Sequence, residues 1–327
     1  MNSIRSLWAA IFFLSSVAFV SDLAAQSGAS RPLRFIVAFP ASGSADVYAR
    51  ALAVPMSKHL NQTIVIENIG GGGGNIGVAR AAKAAPDGET FLFHTMGMVT
   101  SPSLYRKLDY NALTDFEYVG VVAHSTLVLV ARPDLPVADL KQFISYARAY
   151  GDKITIGDAG IGSVTNLCAL LSMSTIGAKF TLVSFKGDAL AMNALLGGHI
   201  DLLCGGVSTT ARHITAGKVK ALGITSRARL PSLAEVPTLA EQGLTGFELA
   251  PWSAIYAPKM TPRPVIQRME AALQVAISDR ELIAYFDNLG LVPASRELAS
   301  SAGLQAYLKA EIDKWGVLLK KAGVVLD

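Results

Sequence analysis

Phe39-Pro40-Ala41-Ser42-Gly43-Ser44-Ala45-Asp46 joins an apolar run over residues 33–39 to a segment with helical spacing over residues 45–60. This pattern predicts a buried strand that turns sharply into the N-terminus of a helix. The first backbone N–H groups of a helix have no partner within it, and with the helix dipole they form a site suited to an anion. An ordinary β–α connection, capped by Ser44, is the alternative interpretation of the same residues.

A second stretch repeats this arrangement. Asp158-Ala159-Gly160-Ile161-Gly162-Ser163-Val164-Thr165 follows a predicted strand over residues 153–157 and precedes a predicted helix. Ligands of open α/β sheets bind at the carboxyl ends of strands, where helix N-termini converge. We therefore expect the first junction (residues 39–46) and the second junction (residues 158–165) to face one cleft.

Strand and helix patterns alternate along most of the chain, which predicts an α/β protein with parallel sheets covered by helices. The alternation restarts near residue 125, within a long β-rich stretch over residues 118–132, so we expect two lobes. That stretch and residues 252–257 would cross between the lobes, and the helical tail would pack on the first lobe. The expected boundaries are residues 31–124 with 252–327 for lobe 1 and residues 125–251 for lobe 2.

Two local features also carry predictions. Pro55 lies inside the first helical segment, where a missing N–H should kink or split a helix. The polar residues between His94 and Pro102 predict a loop after the third strand.

The glycine run over residues 70–74 raises the question of a nucleotide cofactor. Gly72-x-Gly74-x-x-Gly77 matches the dinucleotide-binding pattern, which also needs an acidic residue at the end of the next strand to hold a ribose. That strand ends in His94-Thr95-Met96, without an acid. We interpret the glycines as a loop that packs its helix closely on the sheet, and we expect no cofactor.

The composition narrows the class of protein. The 327 residues are 51% hydrophobic and 17% charged, as in a globular protein with a large core. The net charge is +4, but no basic run with interleaved aromatic residues is present, so we expect no nucleic-acid partner.

The N-terminus has the layout of a secretory signal. Arg5 precedes an apolar stretch over residues 7–20, and small residues end near Ala25. The apolar stretch is shorter than the roughly 20 residues of a transmembrane helix. We therefore expect residues 1–25 to be a cleaved signal peptide and the mature protein to be exported and soluble.

Two cysteines, Cys168 and Cys204, remain in the mature chain. In an oxidising compartment they can form a disulfide, but spacing alone does not bring them within bonding distance. Two buried free thiols are the open alternative.

Several short motifs, in this order and spacing, resemble the receptors of tripartite tricarboxylate transporters, also called Bug receptors. The resemblance covers nearly the whole mature chain. Besides the first junction, its motifs are Gly73-Gly74-Asn75-Ile76-Gly77, Ala85-Pro86-Asp87-Gly88, Pro102-x-Leu104-Tyr105-x-x-Leu108-x-Tyr110, Asp115-Phe116, Lys186-Gly187, Leu195-Leu196-Gly197-Gly198-x-x-Asp201, Ala216-Gly217-Lys218, Val236-Pro237-Thr238-x-x-Glu241, Gly246-Phe247-Glu248 and Trp315.

The resemblance implies a two-lobe periplasmic-binding-protein fold of the Venus-flytrap type II class, closing on a small carboxylate. It implies that the two junctions grip one carboxylate through backbone amides, hydroxyls and water. The resulting ligand-binding candidates are Pro40, Ala41, Ser42, Gly43, Ser44, Asp46, Thr95, Gly97, Met98, Gly160, Gly162, Ser163, Val164, Thr165, Phe185 and Gly205. For Asp46, stabilisation of the helix dipole is favoured over contact with a cationic ligand group.

The chain departs from the family pattern at several of these positions. Ala41 and Ser42 replace a proline and a glycine, which should make the turn less rigid. Met96, Met98, Phe185 and Gly205 replace more polar residues, and this suggests a less polar pocket and an apolar or aromatic carboxylate. The open alternative is that Met96, Met98 and Phe185 belong to the cores of the lobes.

The sequence thus indicates binding without chemistry. The expected partners are a small carboxylate and a tripartite membrane permease or a membrane sensor kinase, and the expected state is a monomer. The rival interpretation is an exported hydrolase with a serine nucleophile at a helix N-terminus. No serine lies in a Gly-x-Ser-x-Gly elbow, and the histidines lack paired metal-ligand spacing, so we expect neither catalytic residues nor a metal.

Overall fold

The computed structural model describes residues 31–245, 247 and 249–321. The expected signal peptide, residues 1–25, lies outside the described residues. No helix in the described part of the chain is both long and apolar enough to cross a membrane.

Strands and helices alternate as the sequence predicts. The strands are β1 (Leu33–Val37), β2 (Ile64–Asn68), β3 (Thr90–His94), β4 (Phe116–Ser125), β5 (Leu127–Ala131), β6 (Thr155–Asp158), β7 (Thr181–Ser184), β8 (Leu202–Gly206), β9 (Lys220–Ile224), β10 (Trp252–Pro258) and β11 (Leu291–Pro293). The helices are α1 (Ser44–Leu60), α2 (Asn75–Ala82), α3 (Gly97–Leu104), α4 (Leu140–Tyr150), α5 (Val164–Ile176), α6 (Asp188–Leu196), α7 (Val207–Thr215), α8 (Arg263–Ala276), α9 (Arg280–Asn288) and α10 (Ser301–Lys321).

The strands form two sheets, which confirms the two-lobe α/β fold. The first sheet has the order β11-β4-β10-β3-β1-β2, and the second has the order β7-β6-β8-β5-β9. We propose the predicted lobe boundaries on this basis, because every strand before Thr126 or after residue 251 belongs to the first sheet. The β-rich stretch 118–132 is two strands, β4 and β5, which lie in different sheets.

The sheets are mixed, whereas the sequence predicted mainly parallel ones. β1 pairs in parallel with β2 and β3, and β6 pairs in parallel with β7 and β8. The strands on either side of the crossings, β4, β5 and β10, pair antiparallel with their neighbours. β4 and β5 flank one direct crossing between the lobes and β10 follows the other, so these strands lack the helical crossover that makes neighbouring strands parallel.

The first helix is not split by Pro55, contrary to the prediction. α1 runs without a break from Ser44 to Leu60. Pro55 and Ala51, whose carbonyl loses its N–H partner, are only half buried. Water can therefore reach this carbonyl, which makes the missing bond tolerable.

The predicted loop from His94 to Pro102 is mostly helix α3, so this prediction is wrong. Met98, Val99 and Thr100 are fully buried in it. The helical tail packs on the first lobe, as predicted, because α10 contacts α3 and β4. In addition, β11 forms an edge strand of the first sheet. The sequence reading missed β11, which has only three residues.

The structure resolves the cysteine question in favour of a disulfide. Cys168 on α5 is bonded to Cys204 on β8, with their Cα atoms 6.1 Å apart. This bond ties the helix of the second junction to the central part of the second sheet.

Candidate functional site

A cavity with an empty volume of about 490 Å³ lies where the two sheets and the crossings meet. That figure includes space that is open to solvent. Residues from both lobes and from the crossings surround it. They are Phe39, Ser44, Ala45, Tyr48, Thr95, Ser125, Leu127, Ala159, Ser163, Val164, Thr165, Asp188, Gly206 and Pro251.

The lining combines apolar walls with a few polar groups. Phe39, Leu127 and Pro251 are among the apolar residues that form the walls. Among the described residues that line the cavity, Asp188 is the one with a charged side chain, and none is arginine, lysine or histidine. An anion in this cavity must therefore rely on backbone amides and hydroxyl groups.

In the first junction, a buried carboxylate organises the turn. Asp46 accepts hydrogen bonds from the Ser42 amide at 2.9 Å and from Asn68 Nδ2 at 3.0 Å, and it pairs with Arg50 at 2.9 Å. Burial acts to raise the pKa of Asp46, but the hydrogen bonds from Arg50, Ser42 and Asn68 outweigh burial and lower that pKa. Asp46 does not line the cavity, so these contacts favour a structural role over ligand contact.

Ser42 adopts a left-handed conformation, with φ of +68°. Glycine takes this conformation readily, whereas a residue with a Cβ atom is strained in it. The turn is therefore strained at Ser42.

Ser44, the first residue of α1, contacts the opposite lobe. Its amide lies 3.2 Å and 3.3 Å from the two carboxylate oxygens of Asp188, and its hydroxyl donates to Asp188 Oδ2 at 2.5 Å. Ser208 Oγ donates to Ser44 Oγ at 2.9 Å and thereby directs the Ser44 proton toward Asp188. The anion site predicted at the N-terminus of α1 thus holds a carboxylate of the chain itself.

Asp188 is the first residue of α6, so its carboxylate lies between the N-termini of two helices. The residue is 7% exposed. Burial raises the pKa of the Asp188 carboxyl, while the hydrogen bonds from Ser44 and from nearby backbone amides act in the opposite direction.

The second junction is held by its own side chains. Asp158 accepts from the Gly160 amide and from Asn166 Nδ2, both at 2.8 Å, and burial raises its pKa. Thr165 Oγ1 accepts from the Ala159 amide at 2.7 Å, and Ser163 Oγ caps α5 by accepting from the Asn166 amide at 3.2 Å. These bonds hold the loop in a fixed shape at the start of α5.

The same junction leaves two donors available. The amides of Val164 and Thr165, the first two residues of α5, donate to no group in the described part of the chain. Both residues line the cavity. Thr95, which is 9% exposed and lines the same cavity, has a buried hydroxyl that no described residue pairs with. Val164 and Thr165 thus bring two amides without partners to the cavity lining at the N-terminus of a 13-residue helix, where an anion is favoured.

The lobes also touch outside the cavity, at the glycine-rich loop. A Cβ on Gly73 would lie 1.9 Å from the carbonyl oxygen of Ile161, so this contact requires glycine. Tyr105 Oη donates to the Ile161 carbonyl at 2.8 Å, and Thr100 Oγ1 donates to the Gly162 carbonyl at 2.7 Å. The second junction therefore has lobe 1 packed against its outer side.

Five of the predicted ligand-binding residues line the cavity: Ser44, Thr95, Ser163, Val164 and Thr165. The others lie nearby or are buried elsewhere, and their role as ligand contacts stays a prediction. Gly160 and Gly162 shape the second junction with positive φ angles. The remaining predicted residues outside the lining are Pro40, Ala41, Ser42, Gly43, Asp46, Gly97, Met98, Phe185 and Gly205.

Met96, Met98 and Phe185 were the basis for predicting a less polar pocket. Their positions favour the alternative, in which they belong to the cores of the lobes. Met96 and Met98 belong to the main hydrophobic core. Phe185 packs on a second core in lobe 2, and Gly205 is buried in β8 beside Thr210. The apolar walls of the cavity come from other residues, such as Phe39, Tyr48 and Leu127.

Most of the residues that line the cavity, and above all Asp188, were not predicted from the sequence. A third strand-to-helix junction was visible there, since Asp188 follows Lys186-Gly187 and opens a predicted helix. Its partner Ser44 is 144 residues away along the chain, and no local pattern links the two.

The serines that a hydrolase would use are engaged in structural contacts. Ser163 caps α5, Ser44 bonds to Asp188, and Ser42 is exposed in the turn. None of the five histidines, all of which lie in the described part, lines the cavity. Burial lowers the pKa of His94, the one next to Thr95, to about 3. In the described part of the chain, none of these three serines is hydrogen-bonded to a histidine that could act as its base.

Comparison with known families gives a match over most of the chain. A model described as tripartite tricarboxylate transporter family receptor matches residues 48–324. A UPF0065 protein of Agrobacterium vitis is 38% identical over 300 residues, covering 92% of this chain and 87% of that protein. Protein BugT of Bordetella pertussis is 30% identical over 328 residues and 100% of both chains.

Solved structures give the same match. The periplasmic binding protein BugD superposes with a TM-score of 0.87 at 38% identity, over 91% of this chain and 99% of BugD. MatC from Rhodopseudomonas palustris with bound malate has a TM-score of 0.84 at 32% identity, over 88% and 99%. Another R. palustris protein, with adipate, has a TM-score of 0.86 at 30% identity, over 92% and 100%.

Proposed function

Because this chain belongs to the tripartite tricarboxylate transporter family of receptors, as a Bug-type protein, we propose that it captures a small carboxylate in the cavity between its two lobes. The family consists of periplasmic solute-binding receptors. Two structural relatives contain carboxylates, malate and adipate, which supports the same class of ligand for this chain.

The observation that carries the proposal is the pair of available amides at the N-terminus of α5. Val164 and Thr165 line the cavity, and their N–H groups have no acceptor in the described part of the chain. A carboxylate there accepts both amides and meets the positive end of the helix dipole, worth about 0.3–1 kcal/mol and up to ~2 kcal/mol when desolvated. Thr95 offers a further hydroxyl from the opposite lobe.

Capture involves no chemistry. Donors for the ligand come from both lobes, so the bound ligand stabilises the closed arrangement over an open one. Only such differential contact can drive closure. We propose that the junction residues predicted from the sequence act in this way, some through direct contact and the others by shaping the two turns.

The walls favour a ligand with an apolar body. Phe39, Tyr48, Leu127, Val164 and Pro251 enclose the cavity. We therefore keep the proposal of an apolar or aromatic carboxylate, although it now depends on these residues and not on Met96, Met98 or Phe185.

The remaining parts of the proposal follow from family membership. We propose that residues 1–25 direct export and are removed, and that the mature protein acts in the periplasm as a monomer. It would deliver its ligand to a tripartite membrane permease or report ligand binding to a membrane sensor kinase.

A thermal-shift screen of the mature protein against carboxylic acids, sugars and nucleosides tests the ligand class. A ligand at 100 times its dissociation constant stabilises the folded state by about 2.7 kcal/mol. We expect shifts from carboxylic acids with an apolar body. Shifts from sugars or nucleosides, with none from a broad panel of acids, would contradict the proposal.

A proline substitution tests the α5 amides. Val164 is the first residue of α5, where proline is tolerated and removes only the N–H donor. The preceding Ser163 has φ of −68° and ψ of 162°, which suits a residue before proline. We expect Val164→Pro to weaken binding of the best acid from the screen by about tenfold or more, as for loss of a hydrogen bond to a charged group.

The matched control is Arg280→Pro at the first position of α9, where Asp279 has φ of −71° and ψ of 127°. It should leave the affinity unchanged because α9 does not line the cavity. Equal affinities of the Val164→Pro variant and the wild type would remove α5 from the site.

A further inference from the structure

The N-terminus of α1 already holds an anion, which comes from the opposite lobe. Asp188 accepts the Ser44 amide at 3.2 Å and 3.3 Å and the Ser44 hydroxyl at 2.5 Å. Ser208 donates to the Ser44 hydroxyl, so the hydroxyl proton is directed at Asp188. The sequence reading assigned these α1 donors to the ligand.

Asp188 also lines the cavity in which we propose that the ligand binds. It is 7% exposed, and no arginine, lysine or histidine stands among the described lining residues to neutralise it. Its surroundings in the cavity include apolar residues such as Ala45 and Phe39. A charge in such surroundings acts strongly on any other charge in the same space, because solvent screening is weak.

We infer that Asp188 limits this receptor to ligands with a single anionic group, by occupying the donors of α1 and repelling a second carboxylate. The inference rests on the proposed function, since it specifies which carboxylates that site accepts. The ligand carboxylate binds the free amides of α5, and its other end, near Asp188, is apolar or a hydrogen-bond donor. A dicarboxylate of the same length would place a second negative charge beside Asp188.

Substitution of Asp188 should change this selectivity. Asp188→Asn keeps the size of the side chain and an oxygen that accepts from Ser44. Asp188→Ser removes more of the side chain and opens the α1 amides to a ligand. Both variants should admit a second carboxylate, because the repelling charge is gone in each.

The test measures dissociation constants by titration calorimetry for hexanoate, its dicarboxylate counterpart adipate and 6-aminohexanoate. Pairs with four to eight carbons extend the series to the length that the cavity prefers. The matched control is Asp152→Ser, which removes the same charge from an exposed position in lobe 2. Melting temperatures confirm that each variant is folded.

We expect the wild type and the Asp152→Ser variant to bind the monocarboxylate about 100-fold more tightly than the dicarboxylate, in line with the cost of like charges in contact. In both Asp188 variants the ratio should fall below about tenfold, through tighter binding of the dicarboxylate. The amino acid should bind the wild type at least as well as the monocarboxylate and should lose affinity in the Asp188 variants.

Two results would overturn the inference while the proposed function stands. One is equal affinity of the wild type for the monocarboxylate and the dicarboxylate. The other is an unchanged ratio in both folded Asp188 variants. If no acid of any length bound any of the variants, the proposed function itself would fail, and the inference with it.

Discussion

Ser42 is one of the residues other than glycine that adopt a left-handed backbone conformation in the described part of the chain. It has φ of +68° in the turn that precedes α1, and its side chain is exposed. For residues other than glycine this region costs roughly 1–2 kcal/mol, partly offset because glycine loses more entropy on folding. We expect Ser42→Gly to raise the free energy of unfolding by about 0.5–1 kcal/mol, measured by urea denaturation. A destabilised variant would show that the Ser42 hydroxyl has an unrecognised role.

Asp46 supports the same turn through its charge, which predicts a dependence on pH. Its folded-state pKa is lowered from the usual 3.8, so its stabilising contribution is present above that value and is lost as the pH falls through the lower folded-state pKa. We expect Asp46→Asn to reduce the free energy of unfolding by about 1–2 kcal/mol at pH 7. The difference from the wild type should shrink below pH 3.8. A difference that stays constant with pH in denaturation curves would contradict this role.

At this scale the sequence predicts a residue's role only where its partners are local. Asp46 as a support for the helix N-terminus was accessible, because its partners Ser42 and Arg50 lie within four residues. The prediction of Ser44 as the cap of α1 was wrong, since Gly43 holds that position without a side-chain hydrogen bond. Asp188 was not accessible, because its charge matters through Ser44 in the other lobe. Met96 and Met98 illustrate the reverse case: their positions suggested a pocket, but the packing of α3 places them in the core.

At the scale of elements, the disulfide joins two elements that carry cavity walls. α5 contributes Val164 and Thr165, and β8 ends at Gly206. The bond closes a loop between cysteines separated by 36 residues. In the chain-entropy model a loop of this length gives about 3–4 kcal/mol of stability.

We therefore expect the double variant Cys168→Ala, Cys204→Ala to melt at a lower temperature than the oxidised wild type. The wild type treated with a reductant should lose stability by a similar amount, while the variant should be insensitive to the reductant. Equal melting temperatures for the oxidised wild type and the variant would mean that the bond does not stabilise the protein.

Long elements with clear periodicity were predictable from the sequence, whereas elements set by tertiary packing were not. α1 and β1 follow directly from spacing, within two residues of their observed ends. α3 was missed because its polar residues and Pro102 resemble a loop, although its burial under α10 makes it a helix. The direction of β4 and β5 depends on how the chain crosses between lobes, which local patterns do not encode.

At the scale of the whole molecule, the two lobes contact each other at the glycine-rich loop, and the proposed closure on a ligand would depend on this contact. Gly73 has φ of +65°, and a Cβ there would lie 1.9 Å from the Ile161 carbonyl oxygen. Gly72 has a similar φ of +57°, but a Cβ there would meet nothing nearer than 3.8 Å. The two glycines thus share a backbone conformation and differ in their contact with lobe 2.

This difference provides a matched pair of variants. Gly73→Ala should weaken ligand binding by about tenfold or more, because the apparent affinity falls with the fraction of molecules able to close. Gly72→Ala carries the same backbone strain and should bind nearly as the wild type does. Small-angle scattering with ligand should show a compact state for Gly72→Ala and an extended one for Gly73→Ala. Equal affinities of the two variants would contradict closure at this contact.

The central claim is that a carboxylate group of the ligand is what the cavity recognises. The most direct test is a calorimetric titration of the mature protein with the best acid from the screen and with its primary amide, which has nearly the same shape. We expect the acid to bind at least about tenfold more tightly, since charge-assisted hydrogen bonds to amides are roughly twice as strong as neutral ones. Equal binding of the acid and the amide would contradict the account.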